Sequence, residues 1–262
     1  MSADTPAGTS AGNAEASVFL DVGANLGDFT ELMANVWPES GSEFYLFEMM
    51  PKLQDKIRNR LKRRIPAERL HLVHAAVGDE PGLEVPIMGN SGMGDTWTGA
   101  SLLERDKIGS RTFHEQIGSA TTVSLSTWAG SEGGMGESAV IPMMKIDTEG
   151  MDGKVIRGMT SAPVDLLASG QVRSIFFELN QMSLKTDVPP REQFSLLSEK
   201  GYDTYLFTRN RLVRISDECF LPRDYVNPGF YTRNALALPK GELFSCCVLT
   251  AYDKKDRGCG CS

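Results

Sequence analysis

Val18-Phe19-Leu20-Asp21-Val22-Gly23-Ala24-Asn25-Leu26-Gly27-Asp28-Phe29-Thr30 is the stretch that decides the fold. Val18, Phe19 and Leu20 form the unbroken apolar run that a parallel strand buried on both faces requires, and Asp21 stands where that strand should stop. Gly23 and Gly27 bracket a turn too tight for side chains. A helix is predicted to follow, with Asp28 as candidate N-cap and Phe29, Leu32, Met33, Val36 and Trp37 on roughly one face. Strand, glycine turn and helix N-terminus together make a place where backbone N–H groups and the helix dipole hold an anionic group. Any nucleotide-binding turn of a doubly wound fold meets that description.

The acid before the glycines narrows the ligand. A carboxylate at the strand end repels a pyrophosphate, whereas an amino acid moiety sets its ammonium on Asp21 and its carboxylate on N–H groups of the turn. S-adenosylmethionine has such an end. Asp21 to Gly27 resembles the first motif of the FkbM-type family of S-adenosylmethionine-dependent methyltransferases. That resemblance covers roughly residues 18 to 215. It implies an α/β, Rossmann-like class I methyltransferase fold: a doubly wound, mostly parallel sheet with an antiparallel C-terminal strand. It also implies S-adenosyl-L-methionine as cofactor, held by Asp21, Gly23, Asn25 and Gly27, and O-methylation of a hydroxyl on a small molecule or sugar.

The bulk properties fit one enzyme-sized domain. The chain has 262 residues and a net charge of -7, so no global field draws it to nucleic acid. No apolar run reaches the ~20 residues that span a bilayer. Residues 1–17 are expected to be a flexible tail, 18–252 one methyltransferase domain, and 253–262 a second flexible tail. The five cysteines all lie beyond residue 218 and form no disulfide framework, which suits a soluble protein of the reducing cytoplasm.

Glu43 to Phe47 read as a second strand ending at Glu48, about twenty residues past the last glycine, where an acid accepts both ribose hydroxyls of an adenosine. That spacing suits NAD equally well. The family places Pro directly after this acid, whereas here Met49 and Met50 precede Pro51. Pro51 to Ile65 read as a helix with Leu53, Ile57 and Leu61 inward and its many Lys and Arg residues solvated. A third strand, Leu70 to Val73, leads to His74 and Ala75, which are expected to border the adenine. Ala76-Val77 and Leu83 to Ile87 read as short strands about a turn containing Asp79.

From residue 88 to 118 the apolar rhythm lapses, as in a cap or substrate loop. Gly99-Ala100-Ser101-Leu102-Leu103 resembles a family turn there, and Trp97, Ser101 and His114 are the expected acceptor contacts. Thr121 to Leu125 read as another strand, and 130–138 as a glycine-rich connection.

The second chemical stretch is Lys145-Ile146-Asp147-Thr148-Glu149-Gly150-Met151-Asp152. Met143 to Ile146 read as the core strand next to the first, across the point where strand order reverses, so Asp21 and Asp147 should face one bound molecule. The family signature Lys-Ile-Asp-x-Glu-Gly followed by an acid is matched here, and Asp147, Glu149 and Lys145 are the candidate catalytic residues. Asp147 is the first choice for a general base. Asp147, Glu149 and Asp152 are oxygen donors, yet without other fixed ligands no metal site is assigned. Ser174 to Asn180 read as a fifth strand whose Glu178 and Asn180 hold the acceptor.

Pro189-Pro190 open a helix that Gly201 ends. Tyr202 to Phe207 and Leu212 to Ile215 read as a hairpin turned by residues 209–211, and Phe244 to Tyr252 as the last strand. Two rival functions stay open: a nicotinamide-dependent oxidoreductase, against which the missing Gly-x-Gly-x-x-Gly spacing counts, and a nucleotide-binding protein without turnover.

Overall fold

Five consecutive residues of β1, Val18–Val22, are all buried, because the strand has packed layers on both sides. Val18, Leu20 and Val22 enter one apolar cluster and Phe19 enters another. The computed structural model describes residues 17–38, 41–89, 101–102, 115–135, 139–180, 182–207, 212–215 and 233–241. Among these, helix α1 (Asp28–Val36) leads from β1 to β2 (Glu43–Phe47), and α2 (Pro51–Leu61) leads on to β3 (Leu70–Val73). β2 pairs parallel with β1, and β3 parallel with β2.

The chain then builds a small sheet before it returns. β4 (Ala76–Val77), β5 (Glu84–Gly89) and β6 (Glu115–Val123) are ordered β4-β6-β5, with a register shift between Ile87 and Met88. Helix α3 (Leu125–Ala129) follows, capped by Ser124, whose side chain accepts from the Thr127 amide. β7 (Met144–Ile146) then pairs parallel with β1 on the edge opposite β2, and Val22 is in register with Ile146. Strand order therefore reverses between β1 and β7, and the crevice beyond their carboxyl ends is where an open α/β sheet holds its ligand. Helix α4 (Asp152–Arg157), β8 (Ile175–Leu179), α5 (Pro190–Glu199), β9 (Tyr202–Phe207), β10 (Leu212–Arg214) and β11 (Arg233–Pro239) complete the main sheet, ordered β10-β9-β11-β8-β7-β1-β2-β3. β11 inserts antiparallel between β8 and β9. The sheet is thus mostly parallel and doubly wound, with two antiparallel strands, β11 and the edge strand β10, on its C-terminal side.

Several local expectations need correction. β1 runs one residue past Asp21, to Val22, which pulls that carboxylate inside the sheet. Gly27, in the left-handed conformation, is the residue before α1, and no side chain caps the helix. Asp28 instead pairs with Arg60 at 2.6 Å. The buried residues of α1 are Thr30 and Met33, with Phe29 and Trp37 packed against the core as expected, while Leu32 and Val36 are each 54% exposed. β5 reaches Gly89, and β6 begins at Glu115 and ends at Val123, so Leu125 belongs to a helix and the irregular stretch is shorter at both ends. The antiparallel strand is Arg233–Pro239; residues 244–252, the predicted last strand, lie outside the described residues, as does the turn at 208–211.

Candidate functional site

The glycine turn is pressed against the neighbouring strand. Gly23 has φ 74, and a Cβ there would stand 2.0 Å from the Asp147 carbonyl oxygen, so no other residue fits without moving β7. The amides of Gly23 and Ala24 both donate to the Phe47 carbonyl at 3.0 Å, and that of Gly27 donates to the Ala24 carbonyl at 2.7 Å. Asn25, at φ 53, donates its amide to Glu48 Oε2 at 2.8 Å. These four N–H groups are spent within the protein, and the amides without an intrahelical partner are those in the first turn of α1.

Glu48 is buried at the tip of β2. Its Oε1 accepts the Met50 amide at 2.8 Å, so each oxygen takes one backbone N–H and keeps a lone pair. Burial lifts its pKa above the ordinary glutamate value, although both amides oppose the rise.

Asp21 lies beneath the turn, 2% exposed. Its Oδ2 accepts from Thr30 Oγ1 at 2.8 Å, and its Oδ1 is 3.3 Å from Lys145 Nζ. Lys145 also donates to the Gly23 carbonyl at 2.6 Å and stands 3.5 Å from Asp147 Oδ2. Burial works against the charge on Lys145, but Asp21 and Asp147 outweigh it and hold the pKa above that of a free lysine. Asp147 is tied to β1 a second time, its amide donating to the Val22 carbonyl at 3.0 Å.

Above the tips of β1, β2 and β7 opens a hollow that is continuous with solvent. One wall is Gly23, Asn25 and Glu48, another Met49, Met50 and Leu53, a third Ala75 to Val77, and the far end is Asp147, Thr148 and Glu149. Asn25 Oδ1 is buried there and has no hydrogen-bond partner. Asp21 and Lys145 do not line the hollow; they brace it from behind. His74 is not in the wall either: it is exposed, with Nε2 3.0 Å from the Met49 carbonyl oxygen, while its neighbour Ala75 is in the wall.

The far end is rich in carboxylates. Glu149 has φ 53 and Gly150 φ 100, a pair of left-handed residues joining β7 to α4. Burial, then the nearby Glu178 and Asp147, push the Glu149 pKa up to about 7. Asp152 is fully buried and pushed up to about 8, by burial first and then by Asp147 and Glu178. It accepts from Thr148 Oγ1 at 3.2 Å and from the Glu178 amide at 3.3 Å. Glu178 is raised too, chiefly by burial, and its Oε2 accepts from Asn180 Nδ2 at 2.6 Å. Asn180 Oδ1 in turn receives the amides of Met182 and Ser183 at 2.9 and 3.1 Å, so Asn180 shapes the loop after β8. Among the described residues no three His, Cys, Asp or Glu side chains converge as metal ligands.

Of the expected acceptor contacts, Trp97 and His114 lie outside the described residues. Ser101 is fully buried and its Oγ donates to the Glu149 carbonyl at 3.0 Å. Its neighbour Leu102 lines the hollow and also a second one beside Met151, Lys154 and Thr186.

Met49, Met50, Leu53 and Leu102 were not legible as site residues. The only signal was the displacement of Pro51 from its family position, which puts two unbranched apolar side chains beside Glu48. Asp79 bonds Arg157 and is a turn residue of the β4–β5 connection.

The model of the methyltransferase FkbM domain matches residues 21–203. No curated protein matches the sequence. Among solved structures, the FkbM methyltransferase of Methylobacillus flagellatus KT is similar at 12% identity and TM-score 0.49, over 85% of this chain and 43% of that one. The precorrin-6y C5,15-methyltransferase of Geobacter metallireducens GS-15 matches at 13% identity and TM-score 0.39, over 86% and 80% of the two chains. The SAM-dependent O-methyltransferase of Thermotoga maritima matches at 8% and 0.38, over 86% and 60%. The chain thus spans less than half the length of the first of these. With the family motif on the tip of β1, its partner acid on the tip of β2 and the Lys-Ile-Asp-x-Glu-Gly signature between them and α4, the chain has a Rossmann-like class I methyltransferase fold and belongs to the FkbM methyltransferase family.

Proposed function

We propose that the chain transfers the methyl group of S-adenosylmethionine to a hydroxyl of a small molecule or sugar. The observation that carries this reading is the single hollow joining the glycine turn and Glu48 to Asp147 and Glu149. The residues fit the cofactor. Glu48 keeps a lone pair on each oxygen for a pair of ribose hydroxyls, and Asn25 Oδ1 is a buried acceptor awaiting a donor. Met49, Met50, Leu53 and Ala75 give the apolar walls that an aromatic base needs. Bound there, the cofactor supplies an electrophilic methyl on a positively charged sulfur.

The chain's own work is to orient the acceptor and take its proton. Glu149 is the favoured base. Glu149 lines the hollow, and burial with Glu178 and Asp147 nearby pushes its pKa up to about 7, the match a general base requires. Asp147 comes second, since its Oδ2 is already paired with Lys145 Nζ at 3.5 Å. Asp21 and Lys145 act indirectly, by fixing the turn and the tip of β7. Glu178 and Asn180 shape the acceptor side.

Isothermal titration with S-adenosylhomocysteine, S-adenosylmethionine and NAD tests the first half. Binding of the two sulfur ligands, abolished by Glu48→Ala, is expected; binding of NAD alone overturns the reading. A mass-spectrometric search of cell extract for methylated product tests the second. Methyl gain on nitrogen or carbon only would overturn the hydroxyl acceptor.

A further inference from the structure

We propose that Ser101 is a positioning residue, a latch whose hydroxyl holds the left-handed Glu149–Gly150 turn in the shape that sets the Glu149 carboxyl into the hollow. Ser101 Oγ donates to the Glu149 carbonyl oxygen at 3.0 Å. The inference rests on Glu149 as the proton acceptor, and it takes Ser101 out of the acceptor contacts, because a fully buried hydroxyl offers a substrate nothing to touch.

Three features make the contact a latch. Glu149 occupies φ 53 and Gly150 φ 100. A long side chain at positive φ persists only where its surroundings hold it. The Glu149 carbonyl lies outside the ladders of β7 and α4, and Ser101 supplies its donor. Ser101 is itself anchored from both sides of its backbone: its amide donates to the Met88 carbonyl at 3.1 Å, and its carbonyl accepts the Met88 amide at 2.8 Å. Met88 stands at the register shift of β5 and packs on Met151 in an apolar group with Leu102 and Met182. Through this hydroxyl the small sheet reaches the Glu149 turn at the far end of the hollow. Without it the anchor remains and the turn is released, which lets the carboxyl swing toward water and away from Glu178 and Asp147.

The test reads Glu149 directly. Infrared titration of the full chain, with the Glu149 band assigned by its loss in Glu149→Gln, gives the protonation midpoint without any acceptor. In Ser101→Ala the midpoint is expected to fall from about 7 by roughly one pH unit or more, toward an ordinary glutamate. Ser101→Thr, which keeps the hydroxyl, should restore the native midpoint. In turnover, Ser101→Ala should lower kcat roughly tenfold or more, with S-adenosylhomocysteine affinity within about threefold of native. Should the alanine variant fold poorly, Ser101→Cys fills the same space with a weak donor and is read the same way. A folded alanine or cysteine variant with the native midpoint overturns the latch. Failure of the native chain to bind S-adenosylhomocysteine overturns the methyltransferase reading instead, while the titration still decides the role of Ser101.

Discussion

Lys145 Nζ lies 3.3 Å from Asp21 Oδ1, so two neighbouring parallel strands are joined at their tips by a buried ion pair. The same ammonium donates to the Gly23 carbonyl and pairs with Asp147 Oδ2, so one cation serves the turn and both acids. A lysine so engaged, with its pKa raised, does not serve as a proton acceptor. It holds the turn of one strand against the acid of the next.

Removing that lysine leaves Asp21 buried without its countercharge, the costly way to break such a pair. Lys145→Met is expected to lower stability by about 3 kcal/mol in urea denaturation and to weaken S-adenosylhomocysteine binding at least about tenfold. Lys145→Met with Asp21→Leu should recover much of the stability without recovering the binding. Equal stability of the single and double variants would show that the pair does not brace the fold.

Gly23→Ala tests the pressure of the turn on β7. The added Cβ meets the Asp147 carbonyl at 2.0 Å, on a backbone at φ 74, and both steric and conformational penalties apply. Loss of about 2 kcal/mol or more in thermal or urea unfolding is expected, with S-adenosylhomocysteine binding lost. Native affinity in this variant would contradict the close approach of turn and strand.

What the sequence revealed and what it hid follow from the physics of each part. Asp21, Glu48 and Asp147 could be placed because each ends a continuous apolar run, and in a doubly wound sheet strand tips converge on one crevice. The direction in which each carboxylate is used could not be read. One more residue of β1 beyond Asp21 decides that this side chain faces α1, where Thr30, nine positions on, and Lys145, far along the chain, both await it. Ser101 was legible as part of a motif but not as a donor to a backbone carbonyl, since that contact depends on how the small sheet docks. The inward face of α1 was legible at Phe29, Met33 and Trp37 and misread at two positions, because Leu32 and Val36 are apolar yet exposed, while Thr30 turns in to serve Asp21.

Glu149→Gln separates proton transfer from cofactor binding. The native chain's rate is expected to rise with pH and level off above about 7, as the buried carboxyl ionises. The glutamine variant should lose roughly 100-fold or more in kcat, and with it the rise near neutrality, while S-adenosylhomocysteine affinity stays within about threefold. A glutamine variant with an unchanged pH profile would return the base to Asp147.

Asp152 makes stability itself depend on pH. Its pKa is raised from 3.8 to about 8 in the folded chain, so between those values the native state holds a proton that the unfolded state has released. Linkage then requires stability to be greatest in acid within that window, to fall as pH rises, and to level off above about 8. Glu149 acts in the same sense between 4.5 and about 7. Asp152→Asn removes the larger contribution while keeping the shape: the amide oxygen still accepts the Glu178 amide, and the Thr148 hydroxyl can turn to accept from the new NH₂ group. Urea midpoints of the native chain should therefore drop between pH 5 and pH 8, and those of Asp152→Asn should drop distinctly less. Parallel slopes in the two proteins would mean that Asp152 is ionised throughout, with Thr148 and the Glu178 amide sufficient to hold its charge.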